Sequence, residues 1–263
     1  MTFLEEIAAA RRRRVGEAQD REPLAALRAR CARTAPAADA LARLASWPVG
    51  RRAVVAEIKR RSPSKGPLAP HLDAPALARA YEANGAFAIS VLTEPDYFGG
   101  SVADLEAVRA AVKVPLLYKD FVSDPYQVWE ARAAGADLVL LIVALLGERT
   151  AEFVTLARDA GVEPLVEIHE ASELDTALAA GARLVGINNR DLKSFRVDLA
   201  VSRALLPRLP EGVFGVAESG LRGPGDLEDL ERSGARAFLV GESLVTADDP
   251  GAALATLVRR AAP

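Results

Sequence analysis

Ala133-Ala134-Gly135-Ala136-Asp137-Leu138-Val139-Leu140-Leu141-Ile142-Val143 reads as the end of a helix, a two-residue corner and a buried strand. Glycine at 135 can end a helix in the left-handed conformation, and the small alanine lets the chain turn tightly into the apolar run. The same dipeptide precedes further apolar runs at Gly85-Ala86, Gly181-Ala182 and Gly234-Ala235, each after an Ala-rich helical stretch. Working outward from these corners, strands are expected at 54–58, 87–92, 114–118, 137–143, 163–168, 184–188, 213–217 and 237–240. Their starts lie about 21 to 33 residues apart, the length of a strand, a loop and a crossover helix. Apolar, non-alternating strands joined by helices imply a parallel sheet covered on both sides. Eight such units, with no G-x-G-x-x-G turn after the first strand, favour an α/β fold of the (β/α)8 or TIM barrel type over a doubly wound sheet. One barrel domain over 1–263 is expected, with residues 1–50 as an N-terminal helical extension whose helices, at about 3–18 and 24–44, pack outside the barrel.

The composition narrows the function classes. The 263 residues are 50% hydrophobic and 26% charged with a net charge of -3, which excludes disorder and gives no general pull toward nucleic acid or acidic membranes. The basic run Arg11 to Arg14 lies among Glu5, Glu6, Glu17 and Asp20, so it is expected to be a solvated helix face. The longest apolar run, 138–146, is about half of what a membrane-spanning helix needs. No apolar leader follows Met1, and the lone Cys31 fits a reducing compartment, so a cytoplasmic location is expected. With only His71 and His169, no metal site is expected. Of the 33 basic residues only Lys59, Lys65, Lys113, Lys119 and Lys193 are lysines, the cations whose proton can be adjusted by their surroundings.

In a (β/α)8 barrel the chemistry sits at the carboxyl ends of the strands. Here those ends are polar. The first strand ends Ala56-Glu57-Ile58-Lys59, where a period of two puts Glu57 and Lys59 on one face. The others end Tyr118-Lys119-Asp120, Glu167-Ile168-His169, Asn188-Asn189-Arg190 and Glu218-Ser219-Gly220. A charged residue opening a solvated loop would account for Asp120 or Arg190, but less well for Glu57, Lys59, Glu167 and Glu218, which have apolar neighbours within the strand. The turns Glu218 to Gly223 and Val240-Gly241-Glu242-Ser243-Leu244, after the seventh and eighth strands, match the usual phosphate cradle of this fold. Lys59 to Gly66, with Ser62 and Ser64, adds hydroxyls and cations, so a phosphorylated small molecule is the expected ligand.

The run Val55-Ala-Glu57-Ile-Lys59-Arg-Arg-Ser62-Pro-Ser64-Lys65-Gly66 closely resembles the first-strand signature of the indole-3-glycerol-phosphate synthase family of tryptophan biosynthesis. The likeness continues through Ser90 to Glu94, Tyr97 to Ser101, Lys119-Asp120-Phe121, Leu165 to His169, Gly186 to Lys193 and Ala217 to Gly220. Tyr118 departs from it, standing where many members carry arginine.

The resemblance implies a lyase that closes, decarboxylates and dehydrates 1-(2-carboxyphenylamino)-1-deoxyribulose 5-phosphate, with no cofactor. It implies Lys119 as general acid, Glu167 as general base or cation stabiliser, and Lys59 and Glu57 as aids to binding and proton transfer. Asn188, Glu218 and Ser219 would hold the anthranilate and ribulose portions, and Arg190 would orient the carboxylate. Ser62, Gly220, Gly241 and Glu242 would surround the phosphate, and Phe98 and Phe121 would wall the aromatic ring, core packing being an equal explanation for the two phenylalanines. The sign of the lysines' pKa shift stays open at this point, because the cations oppose one another while the carboxylates support them. Phosphoribosylanthranilate isomerase and the tryptophan synthase α subunit share the phosphate loops but are not expected to combine these motifs. A phosphate-binding barrel without catalysis is the rival from another class.

Overall fold

A computed structural model describes residues 3–260. Eight parallel strands close into a barrel: β1 (Ala53–Ile58), β2 (Ala88–Leu92), β3 (Leu116–Lys119), β4 (Leu138–Ile142), β5 (Glu163–Ile168), β6 (Leu184–Asn188), β7 (Phe214–Glu218) and β8 (Ala237–Val240). Each pairs with the next in sequence, and β1 closes the ring by pairing with both β8 (Val54 beside Phe238) and β2 (Glu57 beside Ser90). Helices connect successive strands around the outside. The expected strands are all present, with ends shifted by two residues at most. The largest shift is at β3, where pairing starts at Leu116 because Pro115, just before it, has no N–H to donate.

The corner at Gly135 shows why Gly-Ala punctuates this chain. Gly135 has φ +89°. The N–H of Ala136 then reaches back to the Ala131 carbonyl at 3.0 Å, closing the helix end and placing a fully buried methyl against the sheet. Ala86, Ala182 and Ala235 make the same bond, and Val162 repeats it after Gly161, a corner without the dipeptide. All these residues are buried, so a small or compact apolar side chain is required there.

The core lies in two layers. Alternate strand residues such as Val54, Ile89, Tyr118, Val139, Val166 and Ile187 face the surrounding helices. The other set, including Val55, Leu117, Leu140, Leu165, Val216 and Leu239, fills the barrel interior. The N-terminal extension departs from the expectation. Helix α1 (Phe3–Arg21) is followed not by one helix but by α2 (Leu24–Cys31) and α3 (Ala40–Ala45). Pro36 prevents a continuous helix, and Arg132 Nη2 binds the freed carbonyls of Thr34 and Ala35 at 3.3 and 2.5 Å. Asp39 then caps α3 by accepting from Ala42 N–H at 2.9 Å. Whereas α1 and α2 lie outside the barrel, α3 closes its amino end, with Ala40 and Leu44 packed on the interior layer.

Arg11 is a second departure. It is buried rather than solvated, and its Nε lies 2.8 Å from Asp120 Oδ1. Arg12, Arg13 and Arg14 remain exposed, as expected of that run. No described helix is long and apolar enough to cross a membrane.

Candidate active site

The interior face of the barrel changes from apolar to ionic along each strand. Glu57 continues the face of Ala53 and Val55, Lys119 that of Leu117, Glu167 that of Leu165, and Glu218 that of Val216. Strand pleating therefore carries the charged groups inward above an apolar floor that includes Leu140 and Leu239. Together they open onto one cavity of about 570 Å³ at the carboxyl end of the barrel.

At its centre Lys119 Nζ donates to Glu167 Oε2 at 2.8 Å and to Glu218 Oε2 at 3.2 Å. Lys59 Nζ donates to Glu57 Oε1 at 2.7 Å. Burial alone would push Lys119 down, but the carboxylates of Glu167, Glu218 and Glu57 outweigh it and hold the ammonium above its ordinary value. Burial would likewise raise Glu167, yet Lys119 and His169 keep it well below the usual carboxylate range. Glu218 goes the other way. Its burial, only partly offset by Lys119 and reinforced by the Glu167 charge, pushes it up to about 8. The two carboxyls flanking one lysine are thus driven in opposite directions, Glu167 toward its ionised form and Glu218 toward its protonated one.

Two glycines make this packing possible. A Cβ at Gly186 would lie 2.1 Å from Glu218 Oε1, and one at Gly241 would lie 2.4 Å from Glu57 Oε1. Neither is in a left-handed conformation. Their requirement is space for a neighbouring strand's carboxylate.

The rim divides by chemistry. Phe98 and Phe121, their ring centroids 5.9 Å apart, both line the cavity, so their faces serve it as well as the packing around it. Opposite them, Ser219 and Gly220 take consecutive positive φ values of 64° and 81°, and Gly241 precedes the short helix Glu242–Val245, whose leading N–H groups lack intrahelical acceptors. The loop after β1 bends through a small antiparallel ribbon, Arg61–Ser62 with Gly66–Pro67. It carries the buried Ser62 hydroxyl, which has no hydrogen-bond partner among the described residues. Lys65 Nζ lies 3.8 Å from Glu242 Oε1, and Arg190 Nη1 donates to Ser64 Oγ at 3.4 Å and to the Phe195 carbonyl at 3.1 Å. Asn188 accepts the Arg190 N–H at 3.0 Å through its side-chain oxygen.

Every candidate residue from the sequence, including Lys59, Ser62, Asn188, Arg190, Ser219, Gly220, Gly241 and Glu242, borders this cavity. Phe3, Leu192, Arg222 and Ser243 border it too without having been singled out. Phe3 had no signal, since it arrives from α1 and reaches the rim by edge contacts with Tyr97 and Phe195, centroids 5.3 and 5.1 Å away. Tyr118 does not reach the cavity. It is buried on the opposite face of β3, donating to Glu130 at 2.9 Å and accepting from Arg11 at 3.5 Å. A guanidinium therefore reaches Asp120, the residue after Lys119, from α1.

A family model described as indole-3-glycerol phosphate synthase matches residues 4–257. The indole-3-glycerol phosphate synthase of Streptomyces griseus subsp. griseus is 50% identical over 98% of this chain and 95% of its own length. That of Carboxydothermus hydrogenoformans is 46% identical over 97% and 99%. Among solved structures, a 3-hexulose-6-phosphate synthase superposes with a TM-score of 0.64 at 19% identity, covering 78% of this chain and 97% of that one, a likeness of fold. With a barrel whose strand ends carry these motifs and relatives matched over nearly their whole length, the chain belongs to the indole-3-glycerol phosphate synthase family.

Proposed function

We propose that the cavity binds 1-(2-carboxyphenylamino)-1-deoxyribulose 5-phosphate and converts it to indole-3-glycerol phosphate, carbon dioxide and water. The observation that carries this reading is one buried ammonium, Lys119, bridging two buried carboxyl groups above an apolar floor, with Glu167 pushed toward ionisation and Glu218 toward protonation. An acid and a base are needed within one small space, and that arrangement supplies both.

The phosphate is held among Ser62, the Ser219-Gly220 turn and the first N–H groups after Gly241, and the aromatic ring lies against Phe98 and Phe121. The ring carbon bearing the carboxylate attacks the ketone carbon of the sugar chain, and the ketone oxygen takes a proton from Lys119 Nζ as its negative charge develops. Glu167 stabilises the cationic intermediate. The carboxylate leaves as carbon dioxide, its bonding pair restoring the ring. The new hydroxyl then departs as water while a proton leaves the neighbouring CH2 group. Glu167 is the base for that proton. Glu218, beside Nζ, is the proton source that reloads the lysine or protonates the leaving hydroxyl. Lys59, paired with Glu57, adds a cation for substrate binding, and Arg190 suits the carboxylate before it is lost.

The test is direct. Purified protein mixed with the carboxyphenylamino-deoxyribulose phosphate, without added metal or cofactor, is expected to generate indole absorbance with multiple turnovers. Tight binding without indole would overturn the proposal and favour a binding protein.

A further inference from the structure

Behind Glu167, away from the cavity, lies a group that ring closure leaves unused. His169 follows Glu167 by two residues, its side chain is about 10% exposed, and it does not border the cavity. Its Nε2 lies 3.3 Å from Glu167 Oε1 and its Nδ1 lies 3.6 Å from Glu173 Oε2. Glu173, in the helix Ala171–Ala179, also accepts the backbone N–H of His169 at 2.6 Å, which fixes the residue from the far side. A neutral imidazole has one N–H and would turn a lone pair toward one of the two carboxylates, whereas an imidazolium offers a proton to each.

Glu167 thereby has a nitrogen close to each oxygen: Lys119 Nζ donates to Oε2, and His169 Nε2 lies 3.3 Å from Oε1, within ion-pair range though not aligned for a hydrogen bond. Glu218 has a cation at Oε2 alone, where Lys119 donates, and it also faces the Glu167 carboxyl. The charged groups run in a row: Glu173 on the helix, His169 and Glu167 on or just after β5, Lys119 on β3 and Glu218 on β7. We propose that His169 is a positioning residue, an imidazolium that holds Glu167 ionised and oriented, so that the proton shared within the Glu167–Lys119–Glu218 cluster resides on Glu218. Burial would lower the imidazole, but Glu167 and Glu173 raise it to about 10, in keeping with that charge state. The inference rests on the reading of Glu167 as base and Glu218 as proton source.

The chain has two histidines, so the full-length protein gives a simple imidazole 15N spectrum, and a His71→Gln sample assigns it. His169 is expected at imidazolium shifts from pH 6 to pH 8.5, and a neutral ring anywhere in that range would overturn the proposal. In kinetics, His169→Gln is expected to lower kcat near pH 7 by about tenfold, to move the acid limb of the kcat profile up by about half a unit or more, and to leave KM within about threefold. Raising the pH should restore much of the loss. A uniform depression of kcat with an unmoved limb would show a structural role only and would also overturn it. Glu167→Gln separates the two ideas: turnover retained there sinks the reading of Glu167 as base, whereas the charge of His169 is read independently in the otherwise unaltered site.

Discussion

Lys119 has three carboxylates around it, and they decide a sign that composition could not: the ammonium is held above its ordinary value despite burial. Such a lysine stays charged throughout neutral pH and releases its proton only to a developing oxyanion. Lys119→Ala is expected to lower kcat by about 100-fold or more, measured by indole formation under saturating substrate. Near-normal turnover would remove the lysine from the acid role. Gly186 is a different kind of requirement. A methyl there would meet the Glu218 carboxylate at 2.1 Å. Gly186→Ala is expected to displace that carboxylate and lower kcat by about tenfold or more, since misplacements of about 1 Å cost as much as 100-fold. In a Glu218→Ala background the same alanine should add little, and a double-mutant cycle measures that coupling.

Helix α1 is fastened to the barrel next to the reacting groups. Arg11 pairs with Asp120 at 2.8 Å, and Asp120 also accepts from the Thr93 hydroxyl at 2.6 Å, with both members of the pair buried. Arg14, one turn on, pairs with Asp96 at the surface. The two should respond differently to truncation. Arg11→Ala leaves a buried carboxylate without its cation and is expected to cost about 3–5 kcal/mol in urea or guanidinium unfolding, whereas Arg14→Ala should cost about 1 kcal/mol or less. Equal losses would mean that the buried pair has no special weight. The basic run was legible as a helix face, but nothing in four consecutive arginines says which one turns inward. That depends on where α1 crosses the barrel. The split of α2 from α3 was more accessible, since Pro36 stands in the sequence, although the role of α3 as the floor plug was not.

For the whole molecule, the site makes stability depend on pH. Glu218 binds its proton more tightly folded than unfolded, with its value raised to about 8, and so does His169, raised to about 10. Each contributes stability that is complete below its unfolded value and is lost as pH rises through its folded value. Between about pH 7 and 10 the unfolded chain therefore holds fewer protons, and stability must fall with rising pH. Thermal unfolding is expected to show Tm declining over that window, and Glu218→Gln should flatten the portion below about pH 8. A wild-type Tm that is level from pH 7 to 10 would contradict the folded-state values for both groups.

Barrel architecture was determined by sequence alone, because its signals are local and repeated: Gly135-Ala136 and its counterparts specify a left-handed helix end followed by a small buried residue, and each recurrence restates the same unit. Period two likewise put Glu57 and Lys59 on one face, since pleating has no other choice. The family motifs at the strand ends named the residues that border the cavity. Only the closed barrel decided how those residues act on one another. The opposite shifts of Glu167 and Glu218, the space that Gly186 leaves for a carboxylate, and the contact of Arg11 with Asp120 each join residues 32 to 109 positions apart in the chain. Electrostatic and steric effects depend on distance in space, and those distances are set by strand register and barrel closure rather than by neighbouring residues.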